Sequence, residues 1–477
     1  MRGGFQVVFS SIPFLFFFFP ICLILYYAVP FSWKNGILLL FSLIFYTWGE
    51  PGYIVLLLFA TGVDYVNGRL MERYGTDKRI RTIFLCCSVV INLSVLAFFK
   101  YADFIISTIN MVFGTQIKPL GLSLPVGISF YTFQTMSYII DLYRGTVQAE
   151  HSYPRYLTYV SMFPQLVAGP IVRFADVQKE LYARRIDREE VCQGIIRFLM
   201  GLFKKVLIAN QVGALWEEIS SLGVGQTSVA TAWLGALSFT LQLYFDFSAY
   251  SDMAIGMGRM LGFHFNENFN YPLTAVSVTD FWRRWHISLS TWFRDYVYIP
   301  LGGNRRGILR HLRNIAVVWF LTGLWHGASW NFVMWGVYYG ILLGLEKYVW
   351  GSRLKKLPVW LQHVYALFII VFGFVIFAIT DADRLGVYIG LLFGLRRNCL
   401  ADSRCLWYLY NYGIELISAC ILACPVYPWI CRKVGQMKER AGAAVAGIGY
   451  MMGVALLLLS IAYLVNDTYN PFLYFRF

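Results

Sequence analysis

Apolar runs of about the length that crosses a bilayer recur along this chain, at Ile12–Val29, Thr82–Phe99, Val364–Ile379 and Gly442–Val465. Roughly 18 such residues in a row make a candidate membrane helix, because a helix satisfies its own backbone hydrogen bonds in hydrocarbon. Shorter or interrupted apolar runs lie between them. The sequence therefore predicts an all-α polytopic membrane protein with about ten to twelve transmembrane helices. Composition agrees, since 58% of the 477 residues are hydrophobic and 14% are charged, more apolar surface than a soluble core of this length needs. No internal repeat, low-complexity tract or soluble domain interrupts the pattern, and residues 1–477 read as one integral membrane unit. The first run follows Met1–Gln6, which carries one arginine, and no small-residue cleavage site comes after it. It is expected to be a retained helix rather than a signal peptide, with the mature chain beginning near Met1.

The net charge is +14, but the basic residues gather in connections: Arg69–Arg81, Arg173–Arg188, Arg283–Arg313, Arg353–Lys356 and Arg432–Arg440. Positive loops mark the cytoplasmic side of a membrane, and an anionic leaflet accounts for the charge. Membrane lipids are the expected partner and nucleic acid is not. Placing those loops inside puts the N-terminus and the Asn466–Phe477 tail outside a multi-pass protein of the cytoplasmic (inner) membrane. The nine cysteines are scattered, mostly in apolar segments where they act as small hydrophobes. Cys399 and Cys405 share a polar connection and could form a disulfide, but free thiols are the preferred reading. No zinc-type pairing is present, and no metal site is expected.

An ionisable side chain sits inside one apolar stretch. His326 lies in Leu321-Thr-Gly-Leu-Trp-His326-Gly-Ala-Ser-Trp-Asn331, within the segment Ile315–Leu345. Hydrocarbon disfavours such a group unless it faces a bundle interior or a watery cavity. A buried imidazole kept neutral by desolvation can accept a proton from a hydroxyl, the task of a general base in acyl transfer. If the helix continues, Thr322 and Trp330 lie one turn away on either side, and Asn331 is placed to orient the ring. The alternative is a histidine that ties two helices together.

The least membrane-like part of the second half runs from Asp280 through Phe-Trp-Arg-Arg-Trp-His286 to Pro300-Leu-Gly-Gly-Asn-Arg305-Arg306-Gly. Ser277 and Asp280 have capping-box spacing, and Trp282, His286 and Phe293 would share one side of a helix at the cytoplasmic interface, followed by a turn. His286 either lines the entrance of a site or is satisfied by a backbone group. Arg305 and Arg306, with Arg310 and Arg313, could hold the phosphates of an acyl carrier; positive-inside anchoring explains them nearly as well. The carboxylates Asp64, Asp141, Asp246 and Asp252 are either proton-relay groups of a transporter or partners of arginines such as Arg144 and Arg259. The arginine pairing is the preferred reading.

Phe281-Trp-Arg-Arg-Trp-His286 followed by Leu321-Thr-Gly-Leu-Trp-His326-Gly resembles the paired-histidine signature of the membrane-bound O-acyltransferase (MBOAT) family. Leu124-Pro-Val-Gly-Ile-Ser-Phe, Phe163-Pro-Gln-Leu-Val-Ala-Gly-Pro170, Tyr244-Phe-Asp-Phe-Ser-Ala-Tyr-Ser-Asp252 and Tyr298-Ile-Pro-Leu-Gly-Gly-Asn304-Arg resemble its bacterial alginate O-acetylation branch. The resemblance implies a ring of helices around a central tunnel, with His326 as the catalytic histidine and His286 as its signature partner. Trp325, Asn331, Thr322 and Trp285 would support them, and Arg305 and Arg306 would bind the donor. It further implies acetyl-CoA as acyl donor, with no bound cofactor. The acetyl group would pass to an extracytoplasmic partner with a serine-hydrolase-like site, which acetylates a polysaccharide.

Two other readings stay open at this point. One is D-alanyl transfer to teichoic acid from a carrier protein, whose enzymes usually lack the Pro300-Leu-Gly-Gly-Asn-Arg stretch. The other is a transporter or export component that uses the carboxylates without acyl chemistry.

Overall fold

A computed structural model describes residues 8–167, 169–437, 439–466 and 472–473, and every regular element among them is helical. Met1–Gln6, and all of Asn466–Phe477 except Asn466, Phe472 and Leu473, fall outside the described residues. Ile54–Arg73, Lys78–Phe113, Val359–Ala378 and Ala444–Asn466 are long and apolar enough to cross a membrane, and the bent pair Ser403–Asn411 with Gly413–Leu422 brings the number to as many as five. The chain is an all-α, multi-pass membrane protein. Helix length and composition alone do not reach ten to twelve crossings. Much of the remaining apolar sequence is divided into shorter helices such as Phe14–Ala28, or carries charge, as Ile308–His326 does with Arg310 and Arg313.

The described chain forms two compact units. The first comprises residues 1–198, 251–267 and 291–297. At its centre lies Ile128–Arg144, a helix buried along most of its length. The motifs at 124–130 and 163–170 meet at its start. Gly127 there has φ +77, and a Cβ would come within 2.6 Å of the Leu166 carbonyl oxygen. Backbone conformation and close approach both demand glycine.

Three of the four intramembrane carboxylates are satisfied inside this unit. Asp64 accepts from the Asn92 amide at 3.0 and 2.9 Å, Asp141 accepts from the Tyr296 hydroxyl at 2.7 Å, and Asp252 pairs with Arg197 at 2.7 Å. The arginines expected as partners are engaged elsewhere: Arg144 donates to the Asp295 carbonyl oxygen at 3.1 Å, and Arg259 to Gln193 Oε1 at 2.7 Å. Of these three acids only Asp252 forms the expected kind of arginine salt bridge among the described residues, and with a different arginine; the other two accept from an amide and a hydroxyl.

The second unit comprises residues 199–250, 268–290 and 298–477. Here the fourth carboxylate, Asp246, pairs with buried Lys205 at 2.6 Å and accepts the Leu473 backbone N–H at 2.6 Å. The unit is organised around an antiparallel hairpin of Ile308–His326 and Trp330–Leu345. A Cβ on Gly323 would collide with the Phe332 carbonyl oxygen, and one on Gly336 with the carbonyl oxygen of Trp319. Small residues let the two backbones touch, the usual means by which helices associate where apolar burial gives no drive. Val359–Ala378 packs on the second arm, with the Tyr338 hydroxyl donating to the Ile369 carbonyl oxygen at 3.0 Å. All nine cysteines are free, Cys399 and Cys405 included.

Candidate active site

The short helix Val278–Arg284 delivers the first motif. Its three leading N–H groups are capped: Val278 and Thr279 donate to the two Glu346 carboxylate oxygens at 2.9 and 3.0 Å, and Asp280 donates to Ser277 Oγ at 3.0 Å. A helix N-terminus favours such a carboxylate. The helix then stops. Trp285 is extended, His286 has φ +44, and a new helix begins at Ile287. The single continuous helix expected to align Trp282, His286 and Phe293 does not form.

A left-handed conformation is uncommon for a residue other than glycine and persists only where its surroundings fix it. Asn268 does the fixing. Its Oδ1 accepts from the Ser288 N–H at 3.3 Å, from the Ser288 hydroxyl at 2.9 Å and lies 3.1 Å from His286 Nδ1. A backbone N–H can only donate, so the Asn268 atom at this point is the oxygen, and His286 Nδ1 must carry the hydrogen. Nε2 is then left with a lone pair, and it is buried without a hydrogen-bond partner among the described residues. His286 is only 1% exposed and lies outside the four helices long enough to span. Burial pushes its imidazole down to about 3, so it is neutral at physiological pH.

His326 ends its helix. Gly327 is extended, and the second arm of the hairpin starts at Trp330. The break corrects the picture of a continuous helix through His326, and Trp330, at 48% exposed, opens the second arm instead of continuing the first. The His326 ring is packed edge-on by Trp325 at 5.1 Å, Trp335 at 5.0 Å and Phe377 at 5.4 Å. The two imidazoles lie 6.5 Å apart, centre to centre, and Trp325 lies 5.8 Å from His286. Phe247 closes the other side of His286 at 4.7 Å. Two motifs separated by forty positions thus converge on one buried, aromatic-lined site.

The remaining expected residues divide. Trp325 belongs to the site. Trp285 lies one layer out, packed on Phe269 and Phe374 at 5.1 Å each. Thr322 is buried but donates back to the Val318 carbonyl oxygen at 2.8 Å. Asn331 does not orient the His326 ring by hydrogen bonding. Its amide donates to the Ile376 and Phe377 carbonyl oxygens at 3.3 and 3.0 Å, so its influence reaches His326 through the Phe377 ring. Arg305 and Arg306 are exposed just before the start of the first hairpin arm, which rises about 27 Å from Ile308 to His326 at 1.5 Å per residue. Neither has an ion-pair partner among the described residues.

Comparison with known proteins decides what such a pair of histidines belongs to. The model of the MBOAT, membrane-bound O-acyltransferase family matches residues 146–382, which include both histidines. The probable alginate O-acetylase of Pseudomonas aeruginosa is 43% identical over 375 residues, 78% of this chain and 72% of that one. The corresponding protein of Pseudomonas putida is 36% identical over 99% of this chain and 100% of its own. The chain belongs to the membrane-bound O-acyltransferase family. It is therefore an O-acyltransferase. A peptidoglycan O-acetyltransferase of Helicobacter pylori is 33% identical over 78% of this chain and 76% of that one. A teichoic acid D-alanyltransferase of Bacillus subtilis is 28% identical over 53% of this chain and 68% of that one.

Within this acyltransferase, sequence reasoning missed Asn268, Glu346, Trp335 and Phe377. Asn268 stands in the polar stretch Phe265-Asn-Glu-Asn268-Phe-Asn270, where three asparagines looked alike. Glu346 is an acid just after an apolar run, a position that invites a partner, but nothing local named the Val278 helix end. Trp335 and Phe377 are aromatic residues among many. The indole N–H groups of Trp282 and Trp335 and the Tyr339 hydroxyl are buried without partners among the described residues. With ring contacts of 5.5 Å between the two indoles and 5.3 Å from Trp335 to Tyr339, they place unfilled hydrogen-bond donors in an apolar shell beside His326. Such donors suit an oxygen on which charge develops during acyl transfer.

Proposed function

We propose that this enzyme moves an acetyl group from a cytosolic thioester, acetyl-CoA, to a hydroxyl presented at the outer face of the inner membrane, for O-acetylation of a cell-envelope polysaccharide. The observation that carries the reading is the pair of imidazoles 6.5 Å apart in a water-poor aromatic site. Family membership and the O-acetyltransferases among its relatives support an acyl-transfer chemistry. His326 removes the acceptor proton as that oxygen attacks the thioester carbonyl. The C–S bond then breaks, and the imidazolium returns the proton to the departing thiolate. His286, neutral and with its Nε2 lone pair fixed by Asn268, accepts a hydrogen bond that positions a substrate N–H or O–H. Arg305 and Arg306 at the basic end hold the donor phosphates. The acceptor hydroxyl belongs either to the polysaccharide itself or to a serine-hydrolase-like protein that relays the acetyl group to it.

One observation favours a second assignment of the base. Since the Nε2 lone pair of His286 is the one whose tautomer is fixed by geometry, His286 could take the proton and His326 could orient the thioester. Replacing each in turn separates the two: the true base loses activity across the whole pH range, while an orienting histidine shows its loss chiefly in KM. Acetate and D-alanine released from surface polymers by mild alkali, from cells bearing wild type or His326→Ala at matched membrane abundance, test the function. Loss of acetate alone is expected. Loss of D-alanine alone would establish D-alanyl transfer instead, and no change in either would remove His326 from catalysis.

A further inference from the structure

The last long helix, Glu439–Asn466, begins beside the basic run Arg432–Arg440, so by the positive-inside rule it leads to the outer face. Beyond its end, Phe472 is only 3% exposed and Leu473 only 7%. These two residues are back inside the second unit. Both grip one face of Val229–Met260, on which residues 246, 247 and 250 lie together because helical neighbours recur every three to four positions. The Leu473 N–H donates to Asp246 Oδ2 at 2.6 Å, and the Phe472 ring lies 5.7 Å from Phe247 and 4.9 Å from Tyr250.

The polar half of this grip involves a buried ion pair. Asp246 meets Lys205 at 2.6 Å through its other oxygen, and both side chains are buried. Such a pair is tolerated only where hydrogen bonds meet its remaining lone pairs, and Leu473 meets one of them. Lys205 stands in the π-helical stretch Lys204–Ala209, a conformation often found at functional sites, and Glu439–Asn466 packs against that stretch.

The apolar half reaches the candidate site through one ring. Phe247 lies 4.7 Å from His286, nearer than Trp325 at 5.8 Å or Phe269 and His326 at 6.5 Å each. Asn268 fixes the Nδ1 edge of the imidazole, whereas Phe247 limits how far the ring can tilt. A void behind Phe247 would be filled in part by movement of its neighbours, and His286 would follow. We infer that Phe472 and Leu473 form a strap, with Phe472 a positioning residue that holds His286 in place through Phe247. The inference rests on the reading of His286 as the histidine that orients the substrate. A simple stabilising anchor would lower the unfolding temperature without touching the imidazole.

The test uses the full-length chain, labelled with ¹⁵N-histidine, in lipid nanodiscs. Solid-state NMR reads the ring nitrogens of its six histidines, and the His286 signals are identified by their loss in His286→Gln. Expected in Phe472→Ala is a His286 signal moved by more than its linewidth, with the exposed His151 of the first unit unmoved. Phe472→Leu, which keeps apolar bulk, should restore most of it. Leu473→Pro, which removes the donor to Asp246, should give a smaller displacement and serves where Phe472→Ala does not fold. In membrane vesicles fed acetyl-CoA, Phe472→Ala should raise KM about fivefold with little change in kcat. An unmoved His286 signal in folded Phe472→Ala would overturn the strap, as would equal displacement of all six histidines. Faster transfer by Phe472→Ala would also overturn it, making the tail a plug. A His286 signal that responds as expected in a chain that transfers no acetyl group would support the strap and sink the acetyltransfer reading instead.

Discussion

The two histidines sit 6.5 Å apart, yet they are held by different means. His286 is fixed by polar groups: a strained backbone at φ +44, an asparagine oxygen that dictates its tautomer, and a short helix capped by Glu346. His326 is positioned by packing, at the end of a helix whose neighbours approach because Gly323 and Gly336 leave no side chain between them. A polar lock sets which atom carries the proton, whereas packing sets where the ring lies. Changes at His286's supports should therefore alter proton placement, and changes at His326's supports should alter the fold.

The largest effect expected is for His326→Ala, a loss of about 10²–10⁴-fold in acetyl transfer at unchanged membrane abundance, the range of a lost general base. Polymer acetate per unit of protein measures it, and an effect below tenfold would break the assignment. Next, Gly323→Leu should prevent the hairpin from closing and cost about 3 kcal/mol or more, beyond ordinary overpacking because the obstruction is backbone. Thermal unfolding in detergent reads this, and normal stability would show that the arms can separate without harm.

Asn268→Leu sharpens the contrast. It should cost about 1–3 kcal/mol by orphaning the Ser288 N–H, and it should change the pH profile of transfer, while Asn268→Asp, which keeps an acceptor oxygen but adds a negative charge beside Nδ1, should raise the proton affinity of His286 and move the profile to higher pH. An identical profile in Asn268→Leu would show that the tautomer is set otherwise. Glu346→Ala leaves two helix N–H groups without their carboxylate, with an expected loss of about 1–2 kcal/mol in the same unfolding assay.

The smallest effect is in pH. The folded state holds His286 near 3, below the ordinary histidine value near 6.5, so below about 6.5 the unfolded chain binds the extra proton and stability falls as pH falls. From pH 7.5 to 6 the loss attributable to His286 is about 0.8 kcal/mol. His286→Gln should flatten that part of the curve.

Much of the site was legible because chemistry and membrane physics made it conspicuous. A histidine in an apolar run and a second histidine in a Trp-Arg-Arg-Trp motif stand out against hydrocarbon, and the structure brings both together with Trp325. The acids were expected to pair with arginines, and among the described residues only Asp252 forms such a salt bridge; Arg197, Lys205, Asn92 and Tyr296, the groups that meet the four acids, lie far away in sequence. What failed was helical continuity. Periodicity carries a helix forward until a breaker stops it, and neither the left-handed turn at His286 nor the halt after His326 is announced by proline. The first depends on Asn268, eighteen positions earlier, and the second on a glycine that helices often tolerate. Asn331 was placed near His326 correctly, but its partners belong to a helix that comes some forty-five positions later.

That last bond bears on how the enzyme is made. The Phe377 wall of the His326 site is pinned by Asn331 to the very end of Val359–Ala378. A ribosome emits both histidines well before it emits that wall, so an emerging chain carries both motifs but an unfinished chamber. On the proposed function, acyl transfer should begin only when the later span has been inserted and docked, and a nascent chain arrested before Ile376 should be inert in the membrane.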